Sequence, residues 1–258
     1  MVHLNDEWDR YKDRWTGVVP RERYANISFP RPTAEVVAAF AKLGPCTPTV
    51  SDILDSLGVA GAISASCLKP VIPGSCLVGP ALTIRYCLEQ VTPLKALSTG
   101  ESAKLGDRDA YAVSEPGDVV VMDNGGREDV STMGGLSALR AKQAGISGCI
   151  VDGGVRDVGT IRELGLRVWS RGLTPITGKH RVETVEINGP VTCGGIRVCP
   201  GDLIIADDTG VVVVPRALIE DVLHRAQELE ATEARLTQAI LAGSSVSALR
   251  EILPPERW

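Results

Sequence analysis

The chain has no dense basic run, no apolar stretch near the roughly 20 residues that cross a bilayer as a helix, and no Cys-x-x-Cys pair. Each absence bears on a class of function. Lys and Arg number 27 against 32 Asp and Glu, the formal net charge is −5, and the pI is near 5.3. Nucleic-acid binders carry a basic face or stripe, so the expected partners do not include nucleic acid. Lacking a span, and starting on the charged, polar residues 1–15, the chain is expected to have no membrane partner and to be cytoplasmic. The seven cysteines (46, 67, 76, 87, 149, 193 and 199) are an odd number, mostly in apolar strand-like contexts such as that of Cys149. They read as small buried hydrophobes in a reducing compartment rather than zinc ligands or disulfides. His3, His180 and His224 are dispersed, and there is no Gly-x-Ser-x-Gly elbow, Walker loop or Gly-x-Gly-x-x-Gly helix opening, which weakens hydrolase-triad and nucleotide readings.

What is present reads as one α/β domain. The 258 residues are 44% hydrophobic and 23% charged, enough to bury a substantial core. Residues 1–33 form an extension rich in charge, aromatics and proline, expected to pack on a neighbouring subunit. Residues 34–242 form the domain, and 243–258 a tail. Thr33 caps a helix whose apolar positions are Val36, Val37, Phe40 and Leu43, and a second helix is expected from Thr49 or Ser51 to Gly58. Strand-like runs follow at 68–72, 76–78 and 81–86, then a short helix within 93–105. The apolar run 119–122 reads as a buried strand. Gly134-Gly135 opens a helix with Leu136, Leu139 and Ala144 turned inward, and 148–151 forms the next strand. Strand, helix and strand with short links predict a parallel βαβ crossover. A helix at 158–164, a strand at 167–170, a β segment over 182–215 and a long amphipathic helix over 217–242 complete the pattern.

The chemistry concentrates at glycine-rich strand ends: Met122-Asp123-Asn-Gly-Gly126, Met133-Gly-Gly-Leu-Ser137 and Val151-Asp152-Gly-Gly-Val-Arg156-Asp157. Ligands of open α/β sheets bind at the carboxyl ends of strands. Bare N–H groups at a helix start, here Gly134 to Ser137, favour an anion such as a carboxylate. Arg156 offers a planar fork for a carboxylate or enolate oxygen, and Asp157 is a hard oxygen ligand suited to Mg2+ or Mn2+. Together these would bind a 2-oxo acid and stabilise a developing enolate. An Arg-Asp pair after Gly-Gly is also a common surface ion pair or helix cap. Asp123, Asp152 and Asp207-Asp208 read most simply as turn residues.

These motifs resemble the 4-hydroxy-4-methyl-2-oxoglutarate / 4-carboxy-4-hydroxy-2-oxoadipate aldolases and their relatives, the regulators of ribonuclease E activity (RraA-like proteins). The family spacing places a Gly or Asp, twenty residues, then Arg-Asp; here Gly135 precedes Arg156-Asp157 by that interval. Further matches, ordered over roughly residues 34–242, are Thr-Val-Ser-Asp52, Gly117-Asp-Val-Val-Val, Arg171-Gly-Leu-Thr-Pro175 and 200–215. The resemblance implies a compact RraA-like α/β fold, with trimers or hexamers and active sites between subunits. It implies Mg2+ or Mn2+ at Asp157, the pyruvyl oxygen at Arg156, and the substrate carboxylate at Gly134, Gly135, Leu136 and Ser137. It also implies an acid from a neighbouring subunit's terminal helix, best matched by Glu230, with Glu233 next. The implied reaction is metal-dependent retro-aldol cleavage of a 4-hydroxy-2-oxo diacid to pyruvate, or oxaloacetate decarboxylation. The alternatives are a non-catalytic regulator docking on a ribonuclease, or another lyase or dehydratase step on a sugar-derived acid. The regulators tend to lose the Asp that this chain keeps. Two acids of the aldolase pattern are replaced here, by Gly135 and Thr160.

Overall fold

Runs of β-branched residues that suit a pleated, buried surface better than a helix set the centre of the molecule. A computed structural model describes residues 7–254, so His3 and the outer ends of both terminal segments lie outside the described residues. The strands are β1 (Ala62–Ser64), β2 (Lys69–Pro70), β3 (Leu77–Leu88), β4 (Val119–Met133), β5 (Gly148–Val155), β6 (Arg167–Leu173), β7 (Val182–Ile187), β8 (Val191–Cys193), β9 (Ile196–Val198), β10 (Leu203–Asp207) and β11 (Gly210–Val214). The helices are α1 (Ala34–Lys42), α2 (Thr47–Ser56), α3 (Pro93–Thr99), α4 (Asp107–Ala112), α5 (Gly135–Gln143), α6 (Val158–Leu164), α7 (Ile219–Leu241) and α8 (Val246–Ile252). None among the described residues is long and apolar enough to cross a membrane.

The main sheet runs β1-β11-β10-β3-β4-β5-β6-β2, with β7 also on β3. β3, β4, β5 and β6 are parallel neighbours and the remaining pairs are antiparallel. The predicted βαβ crossover is β4-α5-β5. The period of two sorts the core: Val120, Met122 and Val151 face the side covered by α4, α5 and α6, whereas Val119, Val121, Ile150 and Trp169 face the side closed by β1 and the β8–β9 hairpin. α1, α2 and α7 close a third cluster over β10 and β11.

Several expectations need correction. α2 starts at Thr47, before the expected residues, because Pro48 pre-sets the first helical turn. The runs at 76–78 and 81–86 are one strand: Pro80, which lacks a donor, stands where β3 passes from β10 to its other partners and does not break it. In α5 the buried residues are Gly135, Ala138 and Ala141, while Leu136 and Leu139 are 71% and 49% exposed; the small residues let the helix approach the sheet closely, and the leucines point outward. Cys76 and Cys87 are exposed rather than buried. The N-terminal arm uses its aromatics on its own chain: Trp8, Tyr11, Val19, Tyr24, Ile27 and Phe29 are buried in the cluster that includes Leu82 and Met122. Asp109 in α4 anchors that arm by accepting hydrogen bonds from Thr16 N at 2.6 Å and Val19 N at 2.7 Å.

Candidate active site

β4 and β5 run on past their apolar halves through glycine-rich ends, so that Met133 lies opposite Val155. The Arg156 N–H donates to the Met133 carbonyl at 3.0 Å, which sets the start of α5 beside the start of α6. Gly134 caps α5 in an extended conformation, φ −146° and ψ −169°. Asp157 precedes α6 in the left-handed region, φ 54° and ψ 42°, and its side chain does not cap its own helix. Such backbone is uncommon outside glycine and is tolerated best by Asn and Asp.

That conformation turns the Asp157 carboxylate away from α6 and onto the neighbouring helix. Asp157 Oδ2 accepts from the Gly135 N–H at 2.9 Å and lies 3.7 Å from Arg156 Nε. The pair is the ion pair and helix cap that the bland reading expects, except that Asp157 caps the start of α5 and not its own α6. The structure brings Gly134, Gly135, Arg156 and Asp157 together within one chain. Both charged side chains keep contact with solvent, Arg156 at 35% and Asp157 at 49% exposure. The Gly135 N–H is already engaged, which corrects its expected place among donors open to a substrate. The next N–H groups of α5, from Leu136 and Ser137, have no partner within the helix.

Glu230 is not part of this cluster. It lies exposed on α7, close enough to Cys46 to add to the rise of that thiol's pKa to about 11, behind burial, Asp207 and Cys76. Glu233 is likewise exposed on α7. Neither Asp123 nor Asp152 is free for a ligand. Asp123 accepts from Gly125 N at 2.9 Å and Thr192 N at 3.1 Å. Asp152 lies within β5 rather than in a turn, pairs with Arg171, and accepts from Gly194 N at 3.0 Å. Both carboxylates pin the β8–β9 hairpin to the strand ends. Asp207 is a true clamp at its turn, joining Thr47 at the start of α2 to Thr209.

The sequence reading passed over the residues behind the loop. Tyr111 Oη and Ser137 Oγ are 2.8 Å apart. Asp107, one helical turn from Tyr111 on α4, is buried; desolvation raises its pKa and the Ser137 hydroxyl partly offsets the rise. The available signal was the i,i+4 spacing of Asp107 and Tyr111, which places both on one face of a helix.

A family model described as RraA-like, Aldolase/RraA, matches residues 47–213. The chain belongs to the RraA-like family. The matched span holds Gly134–Ser137 and Arg156–Asp157 and ends before Glu230. This RraA-like chain is 33% identical over 208 residues to a protein of Halalkalibacterium halodurans named "Putative 4-hydroxy-4-methyl-2-oxoglutarate aldolase", covering 80% of this chain and 89% of that one. It is also 33% identical over 202 residues to protein DlpA of Legionella pneumophila; the match covers 78% of this chain but only 31% of DlpA. Among solved structures, an uncharacterized protein from Pseudomonas syringae pv. tomato superposes with a TM-score of 0.71 at 30% identity, covering 86% of this chain and all of that one. Streptomyces coelicolor RraAS2, described as an unusual member of the RNase ES inhibitor RraA protein family, gives 0.67 at 28% identity, covering 80% and 98%.

Proposed function

We propose that this RraA-like protein is a divalent-metal-dependent lyase acting on 2-oxo acids. It cleaves a 4-hydroxy-2-oxo diacid to release pyruvate and decarboxylates oxaloacetate through the same enolate. The observation that carries this reading is the Asp157 carboxylate, turned from its own helix to Gly135 N and set beside Arg156. The aldolase name of the Halalkalibacterium relative supports it.

The donor set fits Mg2+ or Mn2+. Asp157 is a half-exposed hard oxygen ligand, and such ions are commonly held through one or two carboxylates, with waters and substrate oxygens completing the shell. Among the described residues no group of three or more His, Cys, Asp or Glu could build an all-protein cage, so Asp157 would be the ligand. When bound, the ion supplies Lewis-acid stabilisation of charge on the 2-oxo oxygen.

The chain's own residues do the rest. Leu136 and Ser137 N–H groups, at the positive end of α5, hold the substrate C1 carboxylate. The Arg156 guanidinium donates to the 2-oxo oxygen, where charge accumulates as the C3–C4 bond breaks and its electron pair moves into the enolate. The C4 hydroxyl must lose a proton as it becomes a carbonyl, and C3 must gain one to give pyruvate. Gly135 carries no side chain for that work, and Glu230 of a second copy is the acid assigned to it. A site shared between copies, as in a homotrimer or homohexamer, also accounts for the outward Leu136 and Leu139 beside the loop.

The test is a pyruvate-release screen of 4-hydroxy-2-oxo diacids and oxaloacetate with Mg2+ or Mn2+, run beside Asp157→Ala. Metal-dependent release abolished in Asp157→Ala is expected. No release from any of these acids with either metal at high enzyme concentration would sink the proposal.

A further inference from the structure

The four residues 134–137 that open α5 have little of their own to hold them. Gly134 and Gly135 carry no side chain, Gly134 therefore makes no side-chain cap, and Leu136 is 71% exposed. Paired glycines leave a backbone free to move, yet N–H groups bind an anion well only when they are fixed in advance. One anchor is the Asp157 carboxylate on the Gly135 N–H. The other is the side chain of Ser137, the one side chain of the four that reaches the interior. Its Oγ lies 2.8 Å from Tyr111 Oη, and Tyr111 is 3% exposed.

The direction of the bonds follows from the groups. Desolvation raises the pKa of the buried Asp107 carboxyl and the Ser137 hydroxyl lowers it, which is the effect of a donor on the ionised form. A hydroxyl has one proton to give, so Ser137 gives it to Asp107 and accepts the Tyr111 proton. Ser137 Oγ is thereby committed to the interior, which leaves the Ser137 N–H, with that of Leu136, for the substrate. The frame behind the turn is itself fixed. Asp109 of α4 accepts from Thr16 N and Val19 N, and the Gly106 N–H donates to Thr184 Oγ1 at 2.8 Å. The Tyr111 ring belongs to the buried cluster that also holds Ala138 and Ala141 of α5. One hydroxyl contact thus ties a turn built on two glycines to a rigid, buried helix.

We propose that Tyr111 is a positioning residue for the substrate carboxylate: through the Ser137 hydroxyl, oriented by Asp107, it fixes the first turn of α5 so that the Leu136 and Ser137 N–H groups are set for binding. This rests on the seat assigned to the C1 carboxylate in the lyase reading, and Tyr111 itself touches no substrate. The test titrates pyruvate calorimetrically, with Mg2+ present, into the full chain and into Tyr111→Phe, which removes one oxygen and keeps the ring. A neutral hydrogen bond corresponds to about 2–10-fold in affinity, so the pyruvate Kd should weaken by that factor. KM for the acid turned over should rise with kcat nearly unchanged, as when binding is lost equally from ground and transition states. Ser137→Ala should weaken pyruvate at least as much. The double variant should lose no more than Ser137→Ala alone, since Tyr111 acts only through that hydroxyl. Ser137 is only partly buried, so its variant keeps the test open if Tyr111→Phe fails to fold. An unchanged Kd in either folded variant, losses that add in the double variant, or a fall in Tm without a change in Kd would each overturn the positioning role. No pyruvate binding by the parent chain would remove the carboxylate seat and this proposal with it. Pyruvate binding without turnover of any 2-oxo acid would overturn the lyase reading alone, and the Kd comparison would still decide the role of Tyr111.

Discussion

Adding one methyl group at Gly134 tests whether the Asp157 carboxylate must sit where it does. The backbone there is extended, so alanine meets no conformational strain. Its Cβ, however, would lie 2.8 Å from Asp157 Oδ2, 3.0 Å from Arg156 Nε and 3.1 Å from Arg156 Cγ, closer than side chains pack. The carboxylate must shift from its place on the Gly135 N–H, lengthening or breaking that bond, and the guanidinium must give with it. A hydrogen bond to a charged group contributes about 1.5–3 kcal/mol, and loss of a group orienting a metal ligand costs about 10–100-fold in affinity or activity. Gly134→Ala is therefore expected to lose about 10–100-fold in Mn2+ affinity, read by electron paramagnetic resonance, and in metal-dependent pyruvate release. The fold should suffer less, because a half-exposed carboxylate is rehydrated once displaced. Alanine is a poorer N-cap than glycine by up to about 1 kcal/mol, equivalent to about 2–4 °C in Tm for a chain of this size. Gly159→Ala is the control: nothing lies within 4 Å of its added Cβ, and it should be neutral or stabilising by about 0.5–1 kcal/mol. If Gly134→Ala keeps parental metal affinity and rate, or if both variants lose them equally, the assignment of the carboxylate is wrong.

Three further outcomes follow from carboxylates elsewhere. Burial raises the Asp107 pKa, so its stabilising effect is complete below the unfolded value of about 3.9 and is lost as pH rises through the higher folded value. The Tm of Asp107→Asn relative to the parent should climb from about pH 4 upward and then level off; a difference that shrinks with pH contradicts the sign. Asp207 is pushed up by burial, but hydrogen bonds from Thr209 and Thr47 outweigh this and its pKa is lowered overall. Its contribution is therefore present above about 3.9 and lost as pH falls through the lower folded value. Asp207→Ala should cost about 1–3 kcal/mol at neutral pH and flatten the acid limb of a denaturation curve, whereas an unchanged acid limb would remove Asp207 from it. Asp109→Ala frees Thr16 and Val19, so limited proteolysis should cut within residues 7–31 well before the core; equal protection of variant and parent would show that the aromatics alone hold the arm.

The β4-α5-β5-α6 unit was legible because its apolar runs are strand-like and its links short. The strand ends were not. Asp152-Gly153-Gly154 reads as a turn, yet β5 continues through it, since a Cβ at Gly153 or Gly154 would come within 2.9 Å of the Arg127 carbonyl or 2.8 Å of the Glu128 carbonyl. Glycine there permits close backbone approach rather than a bend. The leucines of α5 misled for a related reason: Gly135, Ala138 and Ala141 carry little hydrophobic signal but are what fits against the sheet. The arm's aromatics have no period because each meets the core individually, which a pattern search misses. In the site, residue types and their spacing were visible in one dimension. That Asp157 reaches back to Gly135 depends on a left-handed residue that only coordinates reveal.

The two positions at which this chain departs from the aldolase pattern it resembles are neighbours in space. A Cβ at residue 135 would lie 3.1 Å from Thr160 Cγ2 and 3.2 Å from Thr160 Cβ. A side chain at 135 and a branched one at 160 therefore compete for the same space, so the two changes are coupled. The Gly135 N–H that donates to Asp157 is a backbone group, available with any residue other than proline at 135. Groups that fix Asp157 and Arg156 are thus separable from groups that place a base near the scissile bond. In the lyase proposed above, the first set, intact here, would govern whether an enolate can be stabilised, and the second, altered here, which bond to C3 is broken and which substrate is accepted.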